Sequence, residues 1–403
     1  MSIIVDKLKI ETQKIVIFGA GKIGRSFIGQ LFGCSGYKIV FIDIDPNIIS
    51  ELNLHGCYRV VVKGEKEEEI VVPNVKAISS LDKEMVIEAI ATVGILAVSV
   101  GKNVLKKIIP VIALGLVERN KNNPGTPLDI ILAENMRSAA DFVREQLTMH
   151  LPSDFPLEKL VGLIETSIGK MVPIIPLAEL EKDPLVVFAE AYNSLILDQK
   201  GFKGPIPEIK GLAPKKNIKA WVDRKAFIHN LGHATAAYFG YFLHPTAVYM
   251  YEVLDDSKVL QFTRSVMLQS AHMLRAVYPD DFTVVDLEAH IDDLIHRFRN
   301  KALKDTIFRV GQDLTRKLGA DDRFMGSIHL AMQYHMPYDL ILKAMSFGLT
   351  FKAKDEDGNN FVPDIAFLAS LEKDSESTFT DILGYDPVVD LTVIEKLLVQ
   401  EKG

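Results

Sequence analysis

Lys14-Ile15-Val16-Ile17-Phe18-Gly19-Ala20-Gly21-Lys22-Ile23-Gly24 is the stretch on which the fold turns. Its first five residues are a short apolar run, and Gly19, Gly21 and Gly24 follow in the spacing Gly-x-Gly-x-x-Gly. Behind them Ile23, Phe27, Ile28 and Leu31 recur at helical intervals, so the segment reads as strand, tight turn, helix. A second apolar run, residues 38–42, ends on Asp43, 24 positions after Gly19. In that context each glycine has a physical task. Gly19 permits the sharp turn, Gly21 lets the backbone approach a pyrophosphate, and Gly24 lets the helix close on the strand. The anionic group then rests on unpaired N–H groups at the helix start. Phe18, Ala20, Lys22 and Ile23 complete this dinucleotide loop. Asp43 would accept hydrogen bonds from the adenosine ribose and repel a 2′-phosphate, so NAD is expected over NADP. Ser99 and Val100, just beyond a strand at residues 95–98, are assigned to the same site. Asp45, directly before Pro46, is the cap of the next helix.

Working outward, the pattern repeats. Residues 58–62 and 69–72 read as a hairpin with a charged turn, and residues 95–98 and 130–133 as buried strands separated by a helix. The first half is therefore expected to be a doubly wound, parallel Rossmann-type sheet. From about residue 205 helix-period segments dominate, among them residues 218–242 and 259–277. The expected organisation is an α/β dinucleotide-binding domain over residues 1–200 and a mostly α-helical, substrate-binding and catalytic domain over residues 201–403.

Composition narrows the function. The 403 residues carry 46 Lys+Arg against 53 Asp+Glu, a net charge of −7, which gives no global attraction for nucleic acid or an anionic membrane. Two cysteines, Cys34 and Cys57, cannot build a disulfide framework. The longest apolar run, residues 108–117, is far below the ~20 residues that span a bilayer. Asp6 and Lys7 stand where a secretory apolar stretch belongs, so a cytoplasmic protein with a small-molecule partner is expected.

The second chemical feature is Lys225-Ala226-Phe227-Ile228-His229-Asn230-Leu231-Gly232-His233. On an α-helix, Lys225, His229 and His233 fall within a sector of about 80°, with Asn230 at its margin, about 140° from Lys225. Gly232 costs a helix about 1 kcal/mol against alanine, and it permits close backbone approach. Hydride transfer to a carbonyl develops negative charge on oxygen and needs fixed donors and a proton source. A desolvated lysine can supply both, with an asparagine amide on the same oxygen. On spacing alone, however, the stretch reads at least as readily as the solvated face of an amphipathic helix.

The string Lys225-x(4)-Asn230-x-Gly232-His233 resembles the signature of the polyol-specific long-chain dehydrogenases, the mannitol dehydrogenase family. The glycine loop with Arg25-Ser26-Phe27-Ile28-Gly29, Glu134-Asn135-Met136, Phe202-Lys203-Gly204, Arg309-Val310-Gly311 and Arg316-Lys317-Leu318 are also similar to the family. The resemblance runs from Lys14 to roughly Thr350, most of the chain. The resemblance implies a zinc-independent NAD enzyme, with Lys225 as general acid/base, Asn135 and Asn230 on the developing alkoxide, and His233 on the substrate. Chain length favours the phosphate-using members, which implies interconversion of D-mannitol 1-phosphate and D-fructose 6-phosphate. Arg309, Arg316 and Lys317, with Lys203 and Arg25 behind them, are the candidates for the phosphate. Several positions depart from the family pattern: Ser26 for glycine, Gly169-Lys170 for Asp-Arg, Ser194-Leu195 for an acid and tryptophan, and Gln312 and Leu314 for Arg and Pro. They keep open a reductase of an unphosphorylated polyol or a hexuronate such as tagaturonate or fructuronate. A protein that binds NAD(H) without turnover is the alternative outside catalysis. No metal is expected, because His229 and His233 lack the His-Glu-x-x-His context.

Overall fold

The computed structural model describes residues 9–64 and 66–401, so Asp6, Lys7 and the extreme C-terminus lie outside the described residues. The chain divides into two compact units between Trp221 and Val222, inside the helix Ile218–Arg224. The sequence had placed that division at residue 200. The difference arises because residues 201–215 complete the first unit's sheet.

The strands in chain order are β1 (Glu11–Phe18), β2 (Lys38–Asp43), β3 (Tyr58–Lys63), β4 (Glu68–Val72), β5 (Val75–Ser79) and β6 (Val93–Val98). They are followed by β7 (Leu128–Leu132), β8 (Val161–Ser167), β9 (Val187–Glu190), β10 (Leu195–Asp198) and β11 (Leu212–Lys215). Six of them form a parallel sheet in the order β5-β2-β1-β6-β7-β8. That is the doubly wound order, with its crossover point beside β1. The sheet continues through β10, antiparallel to β8, and then β11. A second sheet, β4-β3-β9, holds the expected hairpin and adds a parallel strand that the sequence did not announce.

The alternation along β1 shows why the sheet is covered on both faces. Ile15 and Ile17 pack with Phe27, Ile28 and Leu31 on one side. Val16 and Phe18 pack with Ile90, Leu105 and Ile109 on the other. Burying each such side chain contributes roughly 1.5–3 kcal/mol, and successive residues of a strand serve opposite faces.

The helix after the glycine loop is widened into a π turn over Gly24–Gly29, closed by Gln30 N–H donating to the Arg25 carbonyl. Ser26 is fully buried there, and among the described residues its hydroxyl has no hydrogen-bond partner. The second unit is helical. The helix expected at residues 259–277 is Ser257–Val277, and the tail beyond residue 350 folds into helices such as Val362–Lys373, with Phe379 and Tyr385 buried. Met325 and Met345 are fully buried core residues. No helix among the described residues is long and apolar enough to cross a membrane.

Candidate active site

In the first unit the carboxyl ends of β1, β2 and β6 frame a cavity of about 590 Å³. Phe18, Gly19, Gly21, Asp43, Ser99 and Val100 all line it, so six residues singled out in the sequence come together. Gly19 has φ +94°, and a Cβ on it would lie 2.5 Å from the Ser99 carbonyl oxygen. A Cβ on Gly24 would overlap the Gly19 carbonyl oxygen. Around Gly21, by contrast, nothing lies within 4 Å of a Cβ position, leaving open space at the loop.

The loop peptide at Ala20 is held from both ends. Its N–H donates to Asp43 Oδ2 at 2.6 Å, and its carbonyl accepts from Arg25 Nε at 2.7 Å. Arg25 Nη1 donates to the Leu185 carbonyl at 2.5 Å. Arg25 is buried and engaged with backbone carbonyls, so its place among the phosphate candidates is corrected: it is a clasp of the glycine loop. Asp43 Oδ1 accepts from the Ile44 and Asp45 amides at 2.7 and 3.0 Å, which fixes the carboxylate at the cavity edge. Asp45 caps the helix Pro46–His55. Replacing Asp43 with serine should weaken NADH binding about tenfold, since a hydrogen bond to a charged group is worth roughly 1.5–3 kcal/mol, and should improve NADPH binding. Titration of cofactor fluorescence would measure both, and an unchanged NADH affinity would remove Asp43 from the ribose.

Two buried acids in this unit, Glu134 and Asp129, fasten its loops, a role that no sequence spacing signals. Glu134 Oε1 accepts from Val100 N–H at 2.7 Å and Gly101 N–H at 3.1 Å. It thereby joins the loop after β6 to the loop after β7 that carries Asn135, which is exposed. Burial raises the Glu134 pKa, and the two amides oppose that shift. Asp129, buried on β7, accepts from the Lys203 and Gly204 amides at 2.8 and 3.0 Å. This accounts for Phe202-Lys203-Gly204 as a clamped turn, with the Lys203 side chain exposed. Lys170 is buried, donates to Gln30 and Asn193 at 3.0 and 2.7 Å, and is pulled down by burial to about 8.

In the second unit, Lys225–Asn230 is a π turn between the helices Ile218–Arg224 and Leu231–Leu243. Leu231 N–H donates to the Ala226 carbonyl, an i→i+5 bond. The freed Phe227 carbonyl accepts from the buried Ser270 hydroxyl at 2.5 Å. A turn closed five residues on stacks residues five apart, so Lys225 and Asn230 share one face, and the 140° separation expected from an α-helix is corrected. Gly232 has a different reason from the one expected: a Cβ there would overlap Met267 Sδ, so the glycine serves helix packing.

Lys225 is half-buried, and its pKa is lowered to about 8. Desolvation is the main cause, Arg323 and Arg316 add to it, and Asp322 opposes it. Arg323 pairs with Asp322 at 2.8 Å and donates to the Asn230 carbonyl at 3.3 Å. Arg316, exposed, pairs with Asp313 and with Asp322. Lys317 is buried; its ammonium donates to the Val310 carbonyl at 2.6 Å and to that of Gln312, and burial with Arg323 and Arg316 lowers it to about 7. Arg309 Nε lies 2.6 Å from Asp305 Oδ1. His229 is buried beside Phe298, and desolvation holds its pKa well below the ordinary value, so it is neutral. Among the described residues no group of three or more His, Cys, Asp or Glu could hold a metal ion.

The mannitol dehydrogenase Rossmann-domain model matches residues 13–211, and the mannitol dehydrogenase C-terminal-domain model matches residues 217–382. The chain belongs to the mannitol dehydrogenase family. That is a family of NAD-dependent polyol oxidoreductases. A D-sorbitol dehydrogenase in substrate-free form has TM-score 0.77 and 16% identity over 98% of this chain and 93% of that one. The Pseudomonas fluorescens mannitol 2-dehydrogenase in ternary complex with NAD and D-mannitol has TM-score 0.70 and 14% identity over 99% of this chain and 97% of that one. At these identities the likeness is one of fold. Within the mannitol dehydrogenase family, the glycine loop and the Lys225 turn therefore stand on the two domains that define membership.

Proposed function

We propose that the chain is a mannitol-1-phosphate 5-dehydrogenase, interconverting D-mannitol 1-phosphate and D-fructose 6-phosphate with NAD as cofactor. The observation that carries the phosphate is electrostatic. The charges of Arg323 and Arg316 reach Lys225, with Asp322 opposing them, and those of Arg309 and Lys317 reach His233, a concentration of cations in an otherwise acidic chain. Such a field favours an anionic substrate, and a guanidinium fork matches phosphate geometry.

The first unit fits the cofactor: the glycine turn, the open space at Gly21 and the fixed Asp43 carboxylate provide what a dinucleotide needs. Bound NADH supplies the hydride. Lys225, charged below its lowered pKa, donates a proton to the ketose oxygen in reduction and receives it in oxidation. Asn230, on the same face, offers an amide donor to that oxygen. His233 holds a substrate hydroxyl, and Arg309, Arg316 and Lys317 act on the phosphate. With these reactants the reaction belongs in the cytoplasm.

A second reading, reduction of an unphosphorylated polyol's ketose or of a hexuronate, has its own support. Arg309, Arg316 and Lys317 each already face a carboxylate or carbonyl within the chain. NADH absorbance with purified protein and fructose 6-phosphate, fructose, tagaturonate and fructuronate separates the readings. We expect kcat/KM for fructose 6-phosphate at least a hundredfold above fructose, because two charge-assisted hydrogen bonds are worth about 3 kcal/mol or more. A preference for fructose or a hexuronate would overturn the substrate. NADH binding without oxidation of any cofactor would point to a protein that binds without turnover.

A further inference from the structure

Asp305 is buried, 6% exposed, on the segment leading into the helix Ile307–Gly311. Its Oδ1 accepts from Arg309 Nε at 2.6 Å and lies 2.5 Å from Arg309 Nη2 in the same ion pair. Its Oδ2 lies 3.3 Å from His233 Nε2. Both of those facing atoms are buried, and among the described residues neither has an aligned hydrogen-bond partner. The imidazole plane is set by Phe298, which stacks on it at 4.4 Å and 6°. Among the described residues, His233 Nδ1 has no hydrogen-bond partner either.

A buried carboxylate facing one ring nitrogen selects the tautomer that carries the proton there. We propose that Asp305 is a positioning residue for substrate recognition: it holds His233 as the Nε2–H tautomer, leaving Nδ1 as an acceptor for a substrate hydroxyl, while its other oxygen fixes the Arg309 fork. The inference rests on His233 facing the substrate in the function proposed above. One carboxylate thus orients two side chains, and Arg309 keeps Nη1 outside the pair. The 3.3 Å gap is loose for a hydrogen bond, and contacts of this kind align when the substrate complex forms. Burial would raise the Asp305 carboxyl, but His233 and Arg309 outweigh it and hold it below the usual range, so it remains an anion facing the ring.

The test is a nitrogen spectrum of full-length protein labelled with ¹⁵N-histidine, the His233 signal being assigned by its loss in His233→Asn. We expect Nε2 protonated and Nδ1 bare in the native chain, and a shift toward Nδ1–H in Asp305→Asn. A native Nδ1–H tautomer would overturn the proposal. In kinetics, Asp305→Asn should raise the KM of the preferred ketose at least tenfold, change kcat less, and leave the NADH Kd within twofold. The loss should not add to that of His233→Asn in the double variant. A KM within twofold of native, or full additivity, would also overturn it. If Asp305→Asn fails to fold, Asp305→Glu serves for the same comparison, with partial recovery expected. Absence of turnover on every substrate would defeat the proposed function while the tautomer still decides the role of Asp305.

Discussion

Replacing Lys225 with alanine should lower turnover by about three orders of magnitude or more while the NADH Kd stays within twofold. General acid/base catalysis contributes roughly 10²–10⁴-fold, and the substitution also removes a charge facing the developing alkoxide. Lys225→Arg should fail nearly as badly, because a guanidinium keeps the charge and does not release its proton near neutrality. The lowered pKa sets the pH dependence, and the sign follows from the role. Ketose reduction needs the charged amine, so its rate should fall as pH rises through about 8. Polyol oxidation needs the neutral amine, so its rate should rise across the same interval. Steady-state rates in both directions from pH 6 to 10, with a fluorescence titration of NADH, would check all of this. Turnover within tenfold of native in Lys225→Ala would show that another group moves the proton.

The residues of this site differ in how readable they are from sequence. The glycine loop is legible because its requirements are local: a strand before it, a helix after it, and an acid at the end of the next strand. Asn230 is not, because an angular projection assumes α geometry, and the π turn depends on a hydroxyl at Ser270, forty residues further on. Cations are illegible for a different reason. Arg25, Arg316 and Lys317 look alike in a sequence, yet burial turns Arg25 and Lys317 onto carbonyl oxygens and leaves Arg316 exposed. Acids acting on another residue are harder still. Glu134 stood inside a recognised motif, and Asp305 stands four residues before Arg309, a spacing that signals an ion pair on a helix. Neither spacing says that the carboxylate also faces Val100 or His233. In the fold, the four-residue strand β9 carries too little pattern to be read, so the second sheet became visible only through its partner β3.

Gly21→Ala and Gly24→Ala should both abolish tight cofactor binding, and they should do so by separable routes. At Gly24 the new methyl meets the Gly19 carbonyl oxygen and comes within 3.0 Å of Ser99 Oγ. Neither neighbour can give way easily, since Gly19 N–H is fastened to the Ile42 carbonyl at 2.8 Å and Ser99 N–H to the Phe18 carbonyl at 2.9 Å. Overpacking of this kind costs about 1–3 kcal/mol, a fall in Tm on the order of 5–10 °C for a unit of this size. At Gly21 the methyl enters open space, so the apo protein should melt within about 1–2 °C of the native chain. That open space is where the pyrophosphate must approach the backbone, so the NADH Kd should nevertheless rise at least a hundredfold. Calorimetry of both variants with and without NADH distinguishes a loop that is merely a tight turn from one that holds a dinucleotide. If Gly21→Ala binds NADH as the native chain does, the glycine spacing serves packing alone and the cofactor must lie elsewhere.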